Sequence, residues 1–235
     1  MSKRNILLKR VVCYVLGLFL LALGVSFSIQ ADLGVSPVSS LPYALTLTLG
    51  LSIGITTVLA NILFIVFQVI LNKAVDLKDL SLQLFIAFLF GFFMDASLFL
   101  VKLLPKPETL LGQSAYLIIS LFIVAIGLLN YFVAKLPLMP YDALTYVISE
   151  RFKLVFSRAK VTSDLINVGV AGAICLLSIQ SFGSIGIGTV VAAYFLGKIL
   201  GMFMKFFKER LENWINQDNQ SEENKQLIKK EEVEV

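Results

Sequence analysis

The residues most able to do chemistry in this sequence are ionisable side chains set within long apolar stretches. Asp95, Asp164 and Lys198 each stand alone in such a stretch, where a charge is costly and commonly marks the path of an ion or a solute. Asp164 and Lys198 fall in the same half of two antiparallel predicted helices, so we expect them to pair, with Asp142 as the other candidate partner of Lys198. In the structural alternative, Lys198 reaches the interface through its long side chain and Asp164 lies among lipid headgroups.

Two amide side chains indicate a second polar location. Asn61 and Asn167 occupy matching positions of an internal repeat. They predict either one central site lined from two directions or ordinary hydrogen bonds between neighbouring helices. Together with residues of two broken segments, the candidate substrate-path residues are Pro37, Ser39, Asn61, Asp95, Pro140, Asp142, Asp164, Asn167 and Lys198.

Several classes of chemistry are disfavoured by what the sequence lacks. The chain has no histidine, which removes His-based triads, HExxH zinc sites and imidazole proton relays. It has no GxSxG motif and no metal-ligand cluster, and "GSIGIGT" (183–189) lacks the Lys-Ser/Thr ending of a nucleotide-binding loop. We therefore expect no enzymatic activity, no cofactor and no metal.

The composition is that of an integral membrane protein. Hydrophobic residues make up 57% of the 235 positions and charged residues 15%, whereas soluble domains average about 25% charged residues. Six windows reach the ~20 residues that a bilayer requires. Three of them are free of charge and three contain one ionised residue each: 11–31, 51–72 and 111–134, then 80–101, 161–182 and 184–204. A spanning segment that satisfies its own backbone is helical, so the predicted fold is all-α with six transmembrane helices.

The basic residues indicate which side each loop faces. If the N-terminus is cytoplasmic, most of the 20 lysines and arginines fall in cytoplasmic segments, including Lys73 and Lys78 in one loop and Lys160 in another. This bias is the positive-inside pattern. It predicts a multi-pass protein of the bacterial cytoplasmic membrane with both termini inside, and it explains the net charge of +4 without nucleic acid.

An internal repeat relates the two halves of the chain. At an offset of 103, identical residues recur at Leu18/Leu121, Phe19/Phe122, Ala22/Ala125, Gly24/Gly127, Ala31/Ala134, Leu33/Leu136, Pro37/Pro140, Leu41/Leu144 and Tyr43/Tyr146. After an insertion of three residues, "TTVLANI" (56–62) aligns with "TSDLINV" (162–168) and "AFLFG" (87–91) with "AYFLG" (193–197). Three spans per half is an odd number, so the sequence predicts two inverted three-helix repeats, a common plan among secondary transporters. The alternative is an old duplication that now only builds a stable bundle.

Each half is broken after its first span by a loop and a short helix, about 37–50 and 140–152. Pro37 and Pro140 suit the first turn of such a helix. About twelve residues are too few to cross a bilayer, so each short helix either dips into the membrane with its positive N-terminus inward or lies flat at the interface.

The predicted organisation has five parts: a cytoplasmic N-terminus (1–10), a first transmembrane repeat (11–101), an external linker (102–113), a second repeat (114–205) and a polar cytoplasmic tail with a short helix (206–235). Small residues predict close helix packing. Ala87 and Gly91 in the third span, with Gly197 and Gly201 in the sixth, are expected to let these two spans cross closely.

Three segments carry a resemblance to a known family. "LGVSPVSSLPYAL", "LPLMPYDALTYVI" and "GSIGIGTVVAAYFLGK" resemble the YczE/YyaS/YitT family of bacterial membrane proteins over nearly all of residues 10–205. The resemblance implies a bacterial cytoplasmic-membrane protein and implies no substrate.

Two functions fit the sequence. The first is a small secondary transporter that works by alternating access around the repeat interface and moves a small polar or anionic solute. The second is a non-transporting accessory or substrate-binding subunit that acts with a partner protein. The expected partners are the lipid bilayer, the solute and either a second copy of the chain or another membrane protein.

Overall fold

The computed structural model describes residues 2–72 and 76–231, so Lys73 lies outside the described residues. The regular secondary structure in those two ranges is entirely helical, with no strand. From the N-terminus, the helices are α1 (Ser2–Ala31), α2 (Pro37–Leu49), α3 (Ile53–Asn72), α4 (Leu77–Lys102), α5 (Leu110–Val133), α6 (Pro140–Arg151), α7 (Phe156–Ile179) and α8 (Ile187–Glu231). All except α2 and α6 are long and apolar enough to cross a membrane. The prediction of an all-α membrane protein with six candidate spans is confirmed.

The centre of the bundle is the crossing of α1 and α5. Three glycines let the two backbones meet. A Cβ on Gly17 would lie 2.7 Å from the Tyr131 backbone nitrogen, and one on Gly127 would lie 2.8 Å from that of Leu21. Gly24, the repeat counterpart of Gly127, is equally tight against Val124. Around this pair, α4 packs on α1 and α8 packs on α5, while α3 packs on α4.

The two short helices begin with the same backbone geometry. The N-cap residues Ser36 and Met139 have φ/ψ of −59°/153° and −60°/152°, and a proline follows each. A residue with positive φ also follows each helix at the repeat offset: Gly50 directly after α2 and Lys153 two residues after α6. Asp32 and Lys135, which follow the two first spans, form another such pair. The duplication seen in the sequence is therefore present in the backbone.

Both short helices are packed within the bundle. α2 packs on α7 and α3, and α6 packs on α3 and α7. Ala44 of α2 shares a buried cluster with Ala171 and Cys175 of α7, and the Pro37 carbonyl meets Asn167 in the middle of α7. Both short helices therefore pack against candidate spans.

The expected close crossing of the third and sixth spans is not found. Gly91 of α4 packs against Gly54 of α3, whose carbonyl lies 2.8 Å from a Cβ built on Gly91. Gly197 and Gly201 have no atom within 4 Å of their built Cβ positions. The spacing of the small residues correctly indicated a close contact for Gly91, but the partner is the neighbouring helix of the same half.

The polar segment after residue 205 continues α8 rather than forming a separate short helix. Ile215 is 2% exposed and shares a cluster with Ile6 of α1. Lys9 donates to the Trp214 carbonyl, and Lys135 pairs with Glu212 at 2.9 Å. The helix extends because the start of α1 and the end of α5 provide it with partners.

Candidate functional site

Four side chains from the start of α6 and from α7 form a charged cluster: Tyr141, Asp142, Lys160 and Asp164. The Lys160 Nζ lies 2.9 Å from Asp142 Oδ1 and 4.0 Å from Asp164 Oδ1. The Tyr141 hydroxyl donates to Asp164 Oδ1, and the Lys160 Nζ lies 4.2 Å from the centroid of the Tyr141 ring. Every charged member therefore contacts at least one other member.

The charged cluster is largely withdrawn from solvent. The side chains of Asp142, Asp164 and Lys160 are 13%, 25% and 28% exposed. Two carboxylates and one ammonium leave one excess negative charge when all three are ionised. Charges held in a low-dielectric region are stable only with partners, so this location can attract a further cation.

Local sequence explains how the charged cluster forms. Pro140 occupies the first position of α6, which leaves Tyr141 and Asp142 on its first turn, where the helix dipole favours a carboxylate. Lys160 and Asp164 are one turn apart on α7 and share a face. The ring of Tyr141 packs edge-on against Phe64 of α3 at 5.1 Å, which fixes the start of α6 against the first half of the molecule.

A line of polar side chains continues from the charged cluster along α7. We call Lys160, Ser163, Asp164 and Asn167 the α7 stripe, because their spacing places them on one helix face. The Asn167 amide donates to the carbonyls of Pro37 at 2.6 Å and Val38 at 3.1 Å. The α7 stripe thus joins the first turn of α6 to the first turn of α2.

Ser163 lies between the two ends of the α7 stripe and has no partner. It is 7% exposed, and its hydroxyl makes no hydrogen bond in the structure. A buried hydroxyl without a partner costs free energy. Ser163 therefore offers a free donor and acceptor beside the charged cluster.

The first turn of α2 is polar but carries no charge. The Ser36 hydroxyl donates to the Ser39 hydroxyl rather than capping the helix, and Ser39 is buried. Ser36 also borders a small cavity with Ser28 of α1 and Ser120 of α5. The α2 N-terminus is thus bordered by hydroxyl groups as well as by the α7 stripe.

The two asparagines at matching repeat positions make separate contacts. Asn61 is buried, but its amide donates to the Thr57 carbonyl one turn earlier in α3. Asn167 reaches across to α2 instead. The structure thus gives a bridging contact to only one of the two amides.

The predicted partnership of Lys198 is wrong. Lys198 is exposed and donates to the Tyr194 hydroxyl of its own helix at 2.6 Å. Its Nζ also lies 3.8 Å from the Tyr194 ring centroid. Lys160 takes the position beside Asp142 and Asp164. The four-residue spacing of Lys160 and Asp164 indicates this pairing in the sequence. Lys160 also fits the positive-inside pattern, and that pattern does not reveal its partners.

Asp95 has a structural partner set. Its Oδ1 accepts from the Gly54 N–H at 2.7 Å and its Oδ2 from the Ser52 hydroxyl at 2.8 Å. Both donors belong to the start of α3. Asp95 therefore caps α3 from α4, and the structure places it away from the charged cluster.

Six candidate spans, two packed half-length helices and a charged cluster at the start of one of them define a polytopic helical membrane protein. The chain belongs to the family of unknown function DUF6198, whose model matches residues 8–205. This agrees with the resemblance to the YczE/YyaS group.

Two relatives come from Bacillus subtilis (strain 168). The uncharacterized protein YyaS is 32% identical over 193 residues, which cover 81% of this chain and 90% of YyaS. The uncharacterized membrane protein YczE is 27% identical over 188 residues, which cover 80% of this chain and 81% of YczE. No solved structure matches the chain.

Proposed function

We propose that this protein is a small-solute secondary transporter of the bacterial cytoplasmic membrane, and that its solute path follows the α7 stripe. The observation that carries the proposal is the junction of two half-length helices on one spanning helix. The first turns of α6 and α2 meet α7 at Asp164 and Asn167 respectively. Half-helix termini that meet polar side chains within a bundle are the usual construction of a transporter site.

The duplication supports an inverted repeat within this proposal. The helix pairs α2·α7 and α6·α3 exchange under the repeat, as do α1·α4 and α5·α8. Such exchange is what a pseudo-twofold relation between halves produces. An axis in the membrane plane is the relation that three spans per half and the basic loop at 135–160 favour.

The test measures the side of the membrane from which the first residues of α2 and α6 can be labelled. Ser36→Cys and Met139→Cys are made separately in a chain that lacks Cys13 and Cys175, both of which are buried. Intact cells and inverted vesicles are then treated with an impermeant thiol reagent. We expect Ser36→Cys to react from outside and Met139→Cys from the cytoplasm, with rates that change when a transported solute is present.

Reaction of both cysteines from one side contradicts the inverted arrangement and removes the main support for transport. The matched control is Lys198→Cys. The Lys198 side chain is exposed and contacts Tyr194 of its own helix, so the reaction rate at this position should not respond to solute.

An accessory subunit is the second candidate. The observation that favours it is the α8 face at Gly197 and Gly201, which has no neighbour within 4 Å of either built Cβ. Small residues on a spanning helix commonly permit close approach of another helix. Copurification of a partner that is lost in Gly197→Leu, without any solute effect on Ser36→Cys, supports this second function instead.

A further inference from the structure

We propose that the charged cluster is a binding site for an organic ammonium group, that Lys160 fills this site in the present structure, and that the ammonium group of the solute takes the place of Lys160. The last clause rests on the proposed transport function. The binding site itself does not, because its test requires no movement of solute across a membrane.

The surroundings of the Lys160 Nζ are those that recognise ammonium ions. This nitrogen lies 2.9 Å from a carboxylate oxygen of Asp142 and 4.0 Å from one of Asp164. It also lies over the ring of Tyr141, 4.2 Å from the ring centroid. Ammonium binds carboxylates through charge-assisted hydrogen bonds and binds the electron-rich face of an aromatic ring. The site therefore combines both modes of recognition around one position.

The present occupant belongs to the chain, and it can leave. Lys160 reaches the site through a flexible four-carbon stem, and its side chain is 28% exposed. Asp142 and Asp164 are less exposed than Lys160. An ammonium ion that enters on the Lys160 side can replace the ammonium group of Lys160, while both carboxylates stay in place.

The charge balance favours a cation over an anion. The two carboxylates outnumber the one ammonium, and α2, which also packs on α7, contains no charged residue. In α6 the remaining charged residues are Glu150 and Arg151, which lie at its far end. α7 also contains Arg158, but Lys160 is the basic residue that pairs with the two carboxylates.

Ser163 indicates that the site extends beyond the Lys160 head. Its hydroxyl is buried and unpaired, and it lies on the same face of α7 as Lys160. Lys160 does not use this hydroxyl, whereas a solute with a second polar group beside its ammonium can. We therefore expect a small amine that carries a hydrogen-bonding group to bind more tightly than a simple alkylamine.

The test is chemical rescue of the vacated site. The full chain carrying Lys160→Ala is purified in lipid nanodiscs and its thermal unfolding is followed with and without ethylammonium chloride. We expect a lower Tm than wild type and a recovery of about 3–6 °C at roughly ten times the dissociation constant, which rises further with the logarithm of the ethylammonium concentration. Sodium chloride at equal ionic strength should give no recovery.

The matched control is Lys198→Ala. Lys198 also lies over a tyrosine ring, at 3.8 Å from its centroid, but it is exposed and pairs with no carboxylate among residues 2–72 and 76–231. Ethylammonium should leave the Tm of this variant unchanged. Asp142→Asn combined with Lys160→Ala should lose the rescue.

Equal recovery with sodium chloride, rescue of Lys198→Ala, or rescue that persists with Asp142→Asn overturns the ammonium site. Lys160→Met, which keeps an apolar stem over the Tyr141 ring, is tested with methylammonium if the alanine variant does not fold. If neither folds, wild-type protein and Asp142→Asn are titrated with ethylammonium. A Tm rise that grows with the logarithm of the ethylammonium concentration in wild type alone supports the site, and equal responses overturn it.

The same variants separate this inference from the transport function. Rescue of Lys160→Ala without uptake of any amine or solute by proteoliposomes retains the site and removes the transporter. Uptake that does not depend on Asp142 retains the transporter and removes the step in which the solute takes the place of Lys160.

Discussion

The two halves of the molecule use matched positions for different purposes. In the first half, Gly54 lets α3 pack on Gly91 of α4 and gives its N–H to Asp95. The repeat counterpart of Gly54 is Lys160, and α7 makes almost no contact with α8 in the described chain. A glycine closes one pair of helices, whereas a lysine at the matched position holds a charge against the neighbouring half-helix.

The first turns of α2 and α6 also differ in charge. Val38 and Ser39 of α2 correspond to Tyr141 and Asp142 of α6. The first half thus presents an uncharged helix start that Asn167 contacts, and the second presents a carboxylate paired with Lys160. One duplicated backbone thus supports a first half whose α3 and α4 are closely packed and a second half with a charged cluster. A few side chains set the difference.

The largest expected effect comes from the matched glycines Gly91 and Gly197. A Cβ on Gly91 meets Val58 and the Gly54 carbonyl, whereas one on Gly197 meets nothing. Gly91→Val should lower the free energy of unfolding by about 1–3 kcal/mol or more through overpacking. Gly197→Ala should raise it by up to about 1 kcal/mol, because alanine is the better helix former. Denaturation in nanodiscs measures both, and equal losses would contradict the comparison.

The Asp95 cap should have the next largest effect. Asp95→Ala leaves the Gly54 N–H and the Ser52 hydroxyl without their acceptor, which should cost about 1–3 kcal/mol. Asp32→Ala is the control, because Asp32 pairs with Lys106 at the surface with both side chains more than half exposed and should cost about 0–1 kcal/mol. If the two variants have the same Tm, the proposed cap of α3 is not important for stability.

The two asparagines should give a smaller difference. Asn167→Ala removes two contacts to α2, each worth about 0.6–2 kcal/mol in a membrane. Asn61→Ala removes one contact within its own helix and should cost less. Hydrogen exchange of the first turn of α2 provides the local readout. Faster exchange in Asn167→Ala alone is the expected result, and faster exchange in both variants would be against it.

Much of the fold follows from local sequence. Long apolar windows determine the six candidate spans, and Pro37 and Pro140 mark the starts of the two short helices because the first helical position needs no backbone donor. The pattern also placed Asp142 correctly on a first turn, beside its positive end. These features depend on neighbours in the chain, so one sequence is enough to predict them.

The partners in the site depend on which helices meet. The pairing of Asp164 with Lys198 assumed that the fifth and sixth spans pack together, and α7 and α8 do not. The contact of Gly91 with Gly54 likewise required knowing that α4 packs on α3. Spacing indicates a closely packed face at Gly91 but not the helix against which it packs, and at Gly197 the same spacing has no neighbour within 4 Å in the described chain.

The proposed solute path follows the α7 stripe and not the repeat counterpart of this stripe in α3. Ser163 and Thr57 are repeat counterparts, and both are buried with unpaired hydroxyls. The most direct measurement compares Ser163→Cys with Thr57→Cys, in a chain without Cys13 and Cys175, for reaction with a small cationic thiol reagent in proteoliposomes. We expect reaction at Ser163→Cys that ethylammonium slows, and little reaction at Thr57→Cys. Equal reaction at both positions, or reaction at Thr57→Cys alone, would contradict it.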